Sequence, residues 1–168
     1  MLRRLLVPIL ALLVAFGAFM WWWNRPERVV ARRVAGLFEA TNVPADLSNI
    51  GRQTRGGALE PYLAKSVTFD GPEGPTEQLE GSQPKDYIMG AFSQVAIACR
   101  SASVQDVKVE DVTVNGEEAD VTATIDAVIE MPDGTKPVDG IEHLEMKWLK
   151  QEGKWVLSRA KWRESGRK

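Results

Sequence analysis

The chain has 168 residues, 44% of them hydrophobic and 26% charged, with a net charge of −2. That length suits one folded domain plus an appendage, and the composition excludes collagen-like, disordered and disulfide-scaffold chains. One cysteine, Cys99, and one histidine, His143, leave most metal cages and His-paired nucleophiles without their groups, so neither a metal nor a cofactor is expected.

The small net charge conceals a segregation. Residues 70–145 hold 17 Asp and Glu against 4 Lys and Arg. Bases gather on either side, at Arg25, Arg28, Arg32 and Arg33 and again at Arg159, Lys161, Arg163, Arg167 and Lys168. A nucleic-acid binder presents an uninterrupted basic surface, which an acidic middle denies, so no nucleic-acid partner is expected.

Taken in chain order, residues 5–23 come first, with the uncharged run LLVPILALLVAFGAFMWWW. As a helix this run reaches roughly 28 Å, the thickness of a bilayer's hydrocarbon. Arg3 and Arg4 precede it, and Trp21, Trp22 and Trp23 end it as an interfacial belt. Residues 1–24 are therefore predicted to form a single-pass membrane anchor, with residues 25–168 as the domain it carries. The alternative is a cleaved secretory signal, with Ala15 and Gly17 before the cut, which would release a secreted protein. The arginines after the run favour a cytoplasmic domain by charge, whereas the short tail before it is laid out as an export signal. An extracytoplasmic (periplasmic) C-terminal domain is the expectation adopted.

Beyond Asn24, with Pro26 and Glu27 completing a capping-box pattern, Val30, Val34, Leu37, Phe38 and Thr41 recur at helical spacing. Residues 42–57 read as a loop, Ala58–Ala64 as a short helix, and 66–69 as the entry to a strand. A breaker-rich loop spans 71–84. Ser82 is placed to cap a helix from about Pro84 to Arg100, with Ile88, Phe92, Val95, Ala96 and Cys99 as its buried face. Cys99 on that stripe reads as a core residue, not a nucleophile.

From Ser103 the period changes to two. Val107 and Val109 alternate on one parity and Val112 and Val114 on the other, which predicts a bulge near Glu110-Asp111. Asn115-Gly116 reads as a type I′ hairpin turn. In the next strand Ala119, Val121, Ala123, Ile125, Ala127, Ile129 and Met131 share one face, with Asp120, Thr122, Thr124, Asp126 and Glu130 on the other. After Pro132-Asp133-Gly134, Leu144, Met146 and Trp148 oppose His143, Glu145 and Lys147. Glu152-Gly153 turns into a last strand, Trp155–Arg163. The fold class is α+β: a curved antiparallel sheet of about four to six strands, its apolar face covered by three helices, after one transmembrane helix.

This order, closing on MKWLKQEGKWVLSRAKW, resembles the nuclear transport factor 2-like superfamily over roughly residues 27–164. That superfamily has a cone-shaped, cystatin-like α+β fold shared with ketosteroid isomerases and polyketide cyclases. The resemblance implies a conical pocket, whose candidate lining here is Phe69, Phe92, Val95, Ile125, Leu144, Met146 and Trp148. Ketosteroid isomerase-like relatives use buried acids with a tyrosine. Tyr62 and Tyr87 are present, but no acid is expected on the inner face of the late strands. Asp126, His143 and Glu145 fall on the outer face, as a solvated or cross-strand cluster. No catalytic residue is assigned.

Two functions follow as expectations. The first is a non-catalytic, membrane-anchored domain that assembles with envelope proteins, or with a second copy through the sheet. The alternative is a small apolar-ligand binder, or an isomerase- or cyclase-like enzyme, using the conical pocket.

Overall fold

The computed structural model describes residues 16–17, 21–71 and 80–165. The first long helix, α1 (Pro26–Thr41), buries Val30, Val34, Leu37 and Phe38, the stripe its spacing predicts. Its entry differs from the expected capping box. Arg25 is the N-cap and makes no side-chain cap, while Pro26 at the first turn supplies the preset φ that starts the helix.

The segment read as a loop contains a one-turn helix, α2 (Asn49–Gln53), capped by Ser48, whose hydroxyl accepts from the Gly51 amide at 3.2 Å. The expected short helix is a 3-10 helix, Arg55–Tyr62, and β1 (Leu63–Asp70) already includes Leu63 and Ala64. Gly56 explains the close seat of the 3-10 helix. A Cβ there would meet the Met89 carbonyl oxygen at 1.9 Å, so only glycine allows this approach.

Ser82 is likewise not a cap. It lies in an edge strand, β2 (Gly81–Pro84), where its hydroxyl meets that of Ser66 at 2.6 Å; Pro84 is the N-cap of α3 (Lys85–Ala98). Four long strands follow: β3 (Ser101–Asn115), β4 (Glu118–Glu130), β5 (Val138–Gln151) and β6 (Lys154–Ser165). The six-stranded sheet runs β2-β1-β6-β5-β4-β3, with one parallel pair, β1 and β6, among antiparallel neighbours.

The predicted bulge exists, as the register of β3 on β4 shifts between Val109 and Asp111. A second shift, between Gln105 and Lys108, surrounds Asp106 at φ 47°, and a third lies in β6 opposite Lys147/Trp148. Each bends its strand and increases the local twist, which curves the sheet over the helices.

The first hairpin turn departs from the type I′ expectation. Asn115 pairs with Glu118, so Gly116-Glu117 are the central residues and only Gly116 has positive φ, at 65°. A left-handed first position alone is the requirement of the II′ class, not I′. Glu152 (51°) and Gly153 (77°) are both left-handed, and there the I′ pattern is met.

One large apolar cluster joins α1, the 3-10 helix, α3 and the inner sheet face. A second, smaller one holds Val43, Ala96 and Cys99, so Cys99 is a core residue as read. Beside it Arg52 of α2 is buried and donates six hydrogen bonds, all to backbone carbonyls: Pro44, Ala45, Leu47, Ala96, Cys99 and Arg100. Three of these acceptors close the end of α3, where carbonyls lack helical partners and carry partial negative charge. Arg52 therefore locks the 43–54 segment to the long helix.

Among the described residues no helix is long and apolar enough to cross a membrane. The anchor expected at 5–23 lies, apart from residues 16–17 and 21–23, outside the described residues.

Candidate functional site

The inner face is built by pairing. Ala119 stands opposite Trp148, Val121 opposite Met146, Ala123 opposite Leu144 and Ile125 opposite Glu142; across the next seam Met146 faces Ala160 and Leu144 faces Trp162. Phe69 pairs with Ala160 from β1, which places it beside this row, and its ring meets Trp162 edge-on at 6.1 Å between centroids.

Of the expected lining, Ile125, Met146 and Trp148 are buried, and Phe69, Phe92 and Leu144 are partly buried and packed against the same cluster. Val95 is not part of it. On α3 the line Ile88, Phe92, Ala96 faces inward, and Val95, one residue off that line, is 40% exposed. Trp148 is fully buried, and its indole Nε1 has no hydrogen-bond partner among the described residues. A side chain of this size with no exposed surface marks a close-packed end.

The inner face also carries an acid that the parity argument overlooked. Glu142 shares the parity of Leu144, Met146 and Trp148, stands opposite Ile125, and has its Oε2 oxygen buried. The signal was present in the alternation itself: the same count that sends His143 outward sends Glu142 inward. Trp162, also missing from the expected lining, lies so close to Gly71 that a Cβ there would meet its ring at 2.4 Å. Tyr62 packs against the core, under the Arg33 guanidinium at 4.5 Å, while Tyr87 is half exposed.

The expected outer-face residues are outward but form no single cluster. Glu145 accepts from Arg163 at 2.8 Å. Thr124 donates its hydroxyl to Glu110 at 2.8 Å, and the same oxygen lies 3.0 Å from His143 Nδ1. Asp126 stands across from Ile141, one same-face pair along from Thr124 and His143.

The outer face is divided by sign. Glu110 and Asp111 from β3 and Glu118 and Asp120 from β4 are in excess on one side, with Lys108 of β3 among them, and Arg159, Lys161 and Arg163 from β6 on the other, where Asp70 of β1 lies within 3.8 Å of Arg159 and Lys161. Lys147 on the intervening β5 lies within 3.8 Å of both Glu118 and Asp120. An open groove of about 390 Å3 crosses this boundary, lined by Asp111, Asp120, Thr122, Glu145, Lys147, Arg159 and Lys161. Among the described residues no group of three or more His, Cys, Asp or Glu is placed to hold a metal ion.

No protein-family model and no curated protein matches the sequence. Solved structures do match in shape. A ketosteroid isomerase-like protein from Erwinia carotovora is 12% identical with a TM-score of 0.61, over 86% of this chain and 99% of that one. A nuclear transport factor 2-like superfamily protein from Salmonella enterica is 12% identical with a TM-score of 0.61, over 84% and 92%. A conserved protein from Planctomyces limnophilus is 14% identical with a TM-score of 0.58, over 81% and 93%. At such identities the likeness concerns the fold, and the chain has the nuclear transport factor 2-like fold.

Proposed function

We propose that this chain is a non-catalytic domain, tethered to a membrane of the cell envelope by residues 5–23, that assembles with a second copy through the outer face of its sheet. The observation that carries the reading is the excess of acids over Lys108 on β3 and β4 and the excess of bases on β6, where Arg159 and Lys161 share the single carboxylate of Asp70. A two-fold axis along β5 sets the acids of each copy over the bases of the other, because β4 and β6 flank β5 at about 5 Å each. An axis across the strands would set like charges together.

Charge reversal tests this on the full chain in detergent. Arg159→Glu with Lys161→Glu, or Glu118→Lys with Asp120→Lys, should each lower the dimer fraction in sedimentation. Mixing the two variants should restore association as a heterodimer. A wild-type chain that stays monomeric, or variants that associate equally well, would overturn the reading.

A second reading is favoured by Glu142. A carboxylate at the end of the apolar inner row, next along β5 from partly buried Leu144 and opposite Glu164 of β6, is the arrangement of a small apolar-ligand site with an acid or base in it. The likeness to a ketosteroid isomerase-like protein agrees with that alternative in fold alone.

A further inference from the structure

Three consecutive indoles, Trp21, Trp22 and Trp23, stand in one helical turn before α1, and each lies under an arginine. The Arg25 guanidinium is 4.6 Å from the Trp21 ring centroid, Arg28 is 3.4 Å from that of Trp22, and Arg32 is 4.7 Å from that of Trp23. Arg32 also donates to the Trp23 carbonyl at 3.0 Å, which ties the turn to α1. All three arginines are exposed, and the indoles are 68%, 42% and 43% exposed.

Arg33, next in sequence, is used differently. It donates to the carbonyls of Trp155 and Pro61 and covers Tyr62, so it belongs to the domain's own packing. The division separates Arg33, bound into the domain, from three exposed arginines, of which Arg32 gives one donor to the Trp23 carbonyl and keeps the rest.

We infer that Arg25, Arg28 and Arg32, each held over an indole, form a collar that binds the phosphates of anionic lipid headgroups. Residues one apart on a helix point about 100° apart, so three successive indoles surround their turn instead of forming a stripe. A surface-lying helix needs a stripe; a ring suits a chain whose axis passes through the interface. Indole prefers the headgroup level, and a guanidinium stacked on its face keeps its edge donors free for phosphate oxygens. Residues 21–33 carry four arginines and one acid, Glu27, and directly follow the uncharged run 5–20. An open cleft of about 530 Å3 lies at the collar, lined by Trp21, Asn24, Arg25, Pro26 and Glu27.

The inference rests on the membrane tether proposed above, and the experiment separates the two. The full chain is reconstituted with phosphatidylcholine vesicles holding equal fractions of either brominated phosphatidylglycerol or brominated phosphatidylcholine. Tryptophan quenching is then read against salt. The anionic brominated lipid should quench more strongly at the same mole fraction, with a preference that fades as salt rises. That preference should fall roughly fivefold for each of Arg25→Gln, Arg28→Gln and Arg32→Gln, and persist in Arg33→Gln. Equal quenching by both lipids in wild type, or a preference unchanged in the triple variant, overturns the collar while the tether stands. A chain that fails to float with the vesicles at all overturns both.

Discussion

The two ends of the inner sheet face are made by the same alternation and end up in different states. At one end Ala119, Val121, Met146, Trp148 and Leu157 are buried together with Val30, Val34 and Val67. At the other, where β5 begins and β6 finishes, Leu144, Phe69, Phe92 and Trp162 remain partly exposed, and Glu142 interrupts the apolar row. Period-two patterning thus states which side of the sheet is inward, but not how completely the helices cover it. Coverage depends on where α1 and α3 cross the sheet, which is a tertiary outcome.

The sharpest way to test the contrast is to truncate one side chain at each end. Trp148→Ala should cost about 3–5 kcal/mol, the range for emptying a close-packed aromatic site. Leu144→Ala should cost under about 2 kcal/mol, since a partly exposed side chain loses less burial and leaves no sealed cavity. Both are read from urea midpoints at constant slope. Equal costs would mean that the second end is packed as tightly as the first, and the ligand-pocket alternative would lose the room it needs.

A smaller effect is expected where the second cluster is fastened. Arg52→Met keeps the aliphatic stem but removes the guanidinium's six hydrogen bonds, leaving carbonyls of the 43–54 segment and of the α3 terminus without partners. A loss of about 3 kcal/mol is expected, given roughly 1–3 kcal/mol for each buried group left unsatisfied and partial recovery through water. Amide exchange should rise first at residues 43–54 and 96–100. Uniform acceleration across the sheet would show that Arg52 supports the whole fold and not this junction.

How much of this was legible in the sequence follows the range of the interactions. The α1 stripe, the β3 bulge and the inward parity of β4 and β5 arise from neighbours in the chain, and each stands as read. Arg52 was illegible because its partners lie up to 48 residues away and are backbone atoms, which no side-chain pattern announces. The parallel β1–β6 pair and the Gly71–Trp162 approach are non-local in the same way. Val95 was misplaced by one position on a helix whose apolar residues extend beyond its buried face, to the exposed Tyr87 and Ile97. Glu142 is different: its even position, shared with Leu144, Met146 and Trp148, places it inward by alternation alone.

The least perturbing probe addresses the turn that aligns β4 with β5 and so sets the register of both ends. Asp133 Oδ1 accepts from the Thr135 amide at 2.9 Å and from its hydroxyl at 2.7 Å, and these bonds hold the Asp133 carboxyl below the usual aspartate value. The sign follows from linkage. A lowered folded value means that the ionised form favours the folded turn above the unfolded pKa, and this contribution is lost as pH falls through the folded pKa. Stability should therefore drop in acid through this group, by a small amount because Asp133 is fully exposed. The Thr135 amide shift should titrate with a midpoint below that of an unstructured aspartate, and Asp133→Asn should remove that titration. A midpoint at or above the ordinary value would show that these bonds do not persist in solution, and that the β4–β5 register is set by Ala119–Trp148 and its neighbours instead of by the turn.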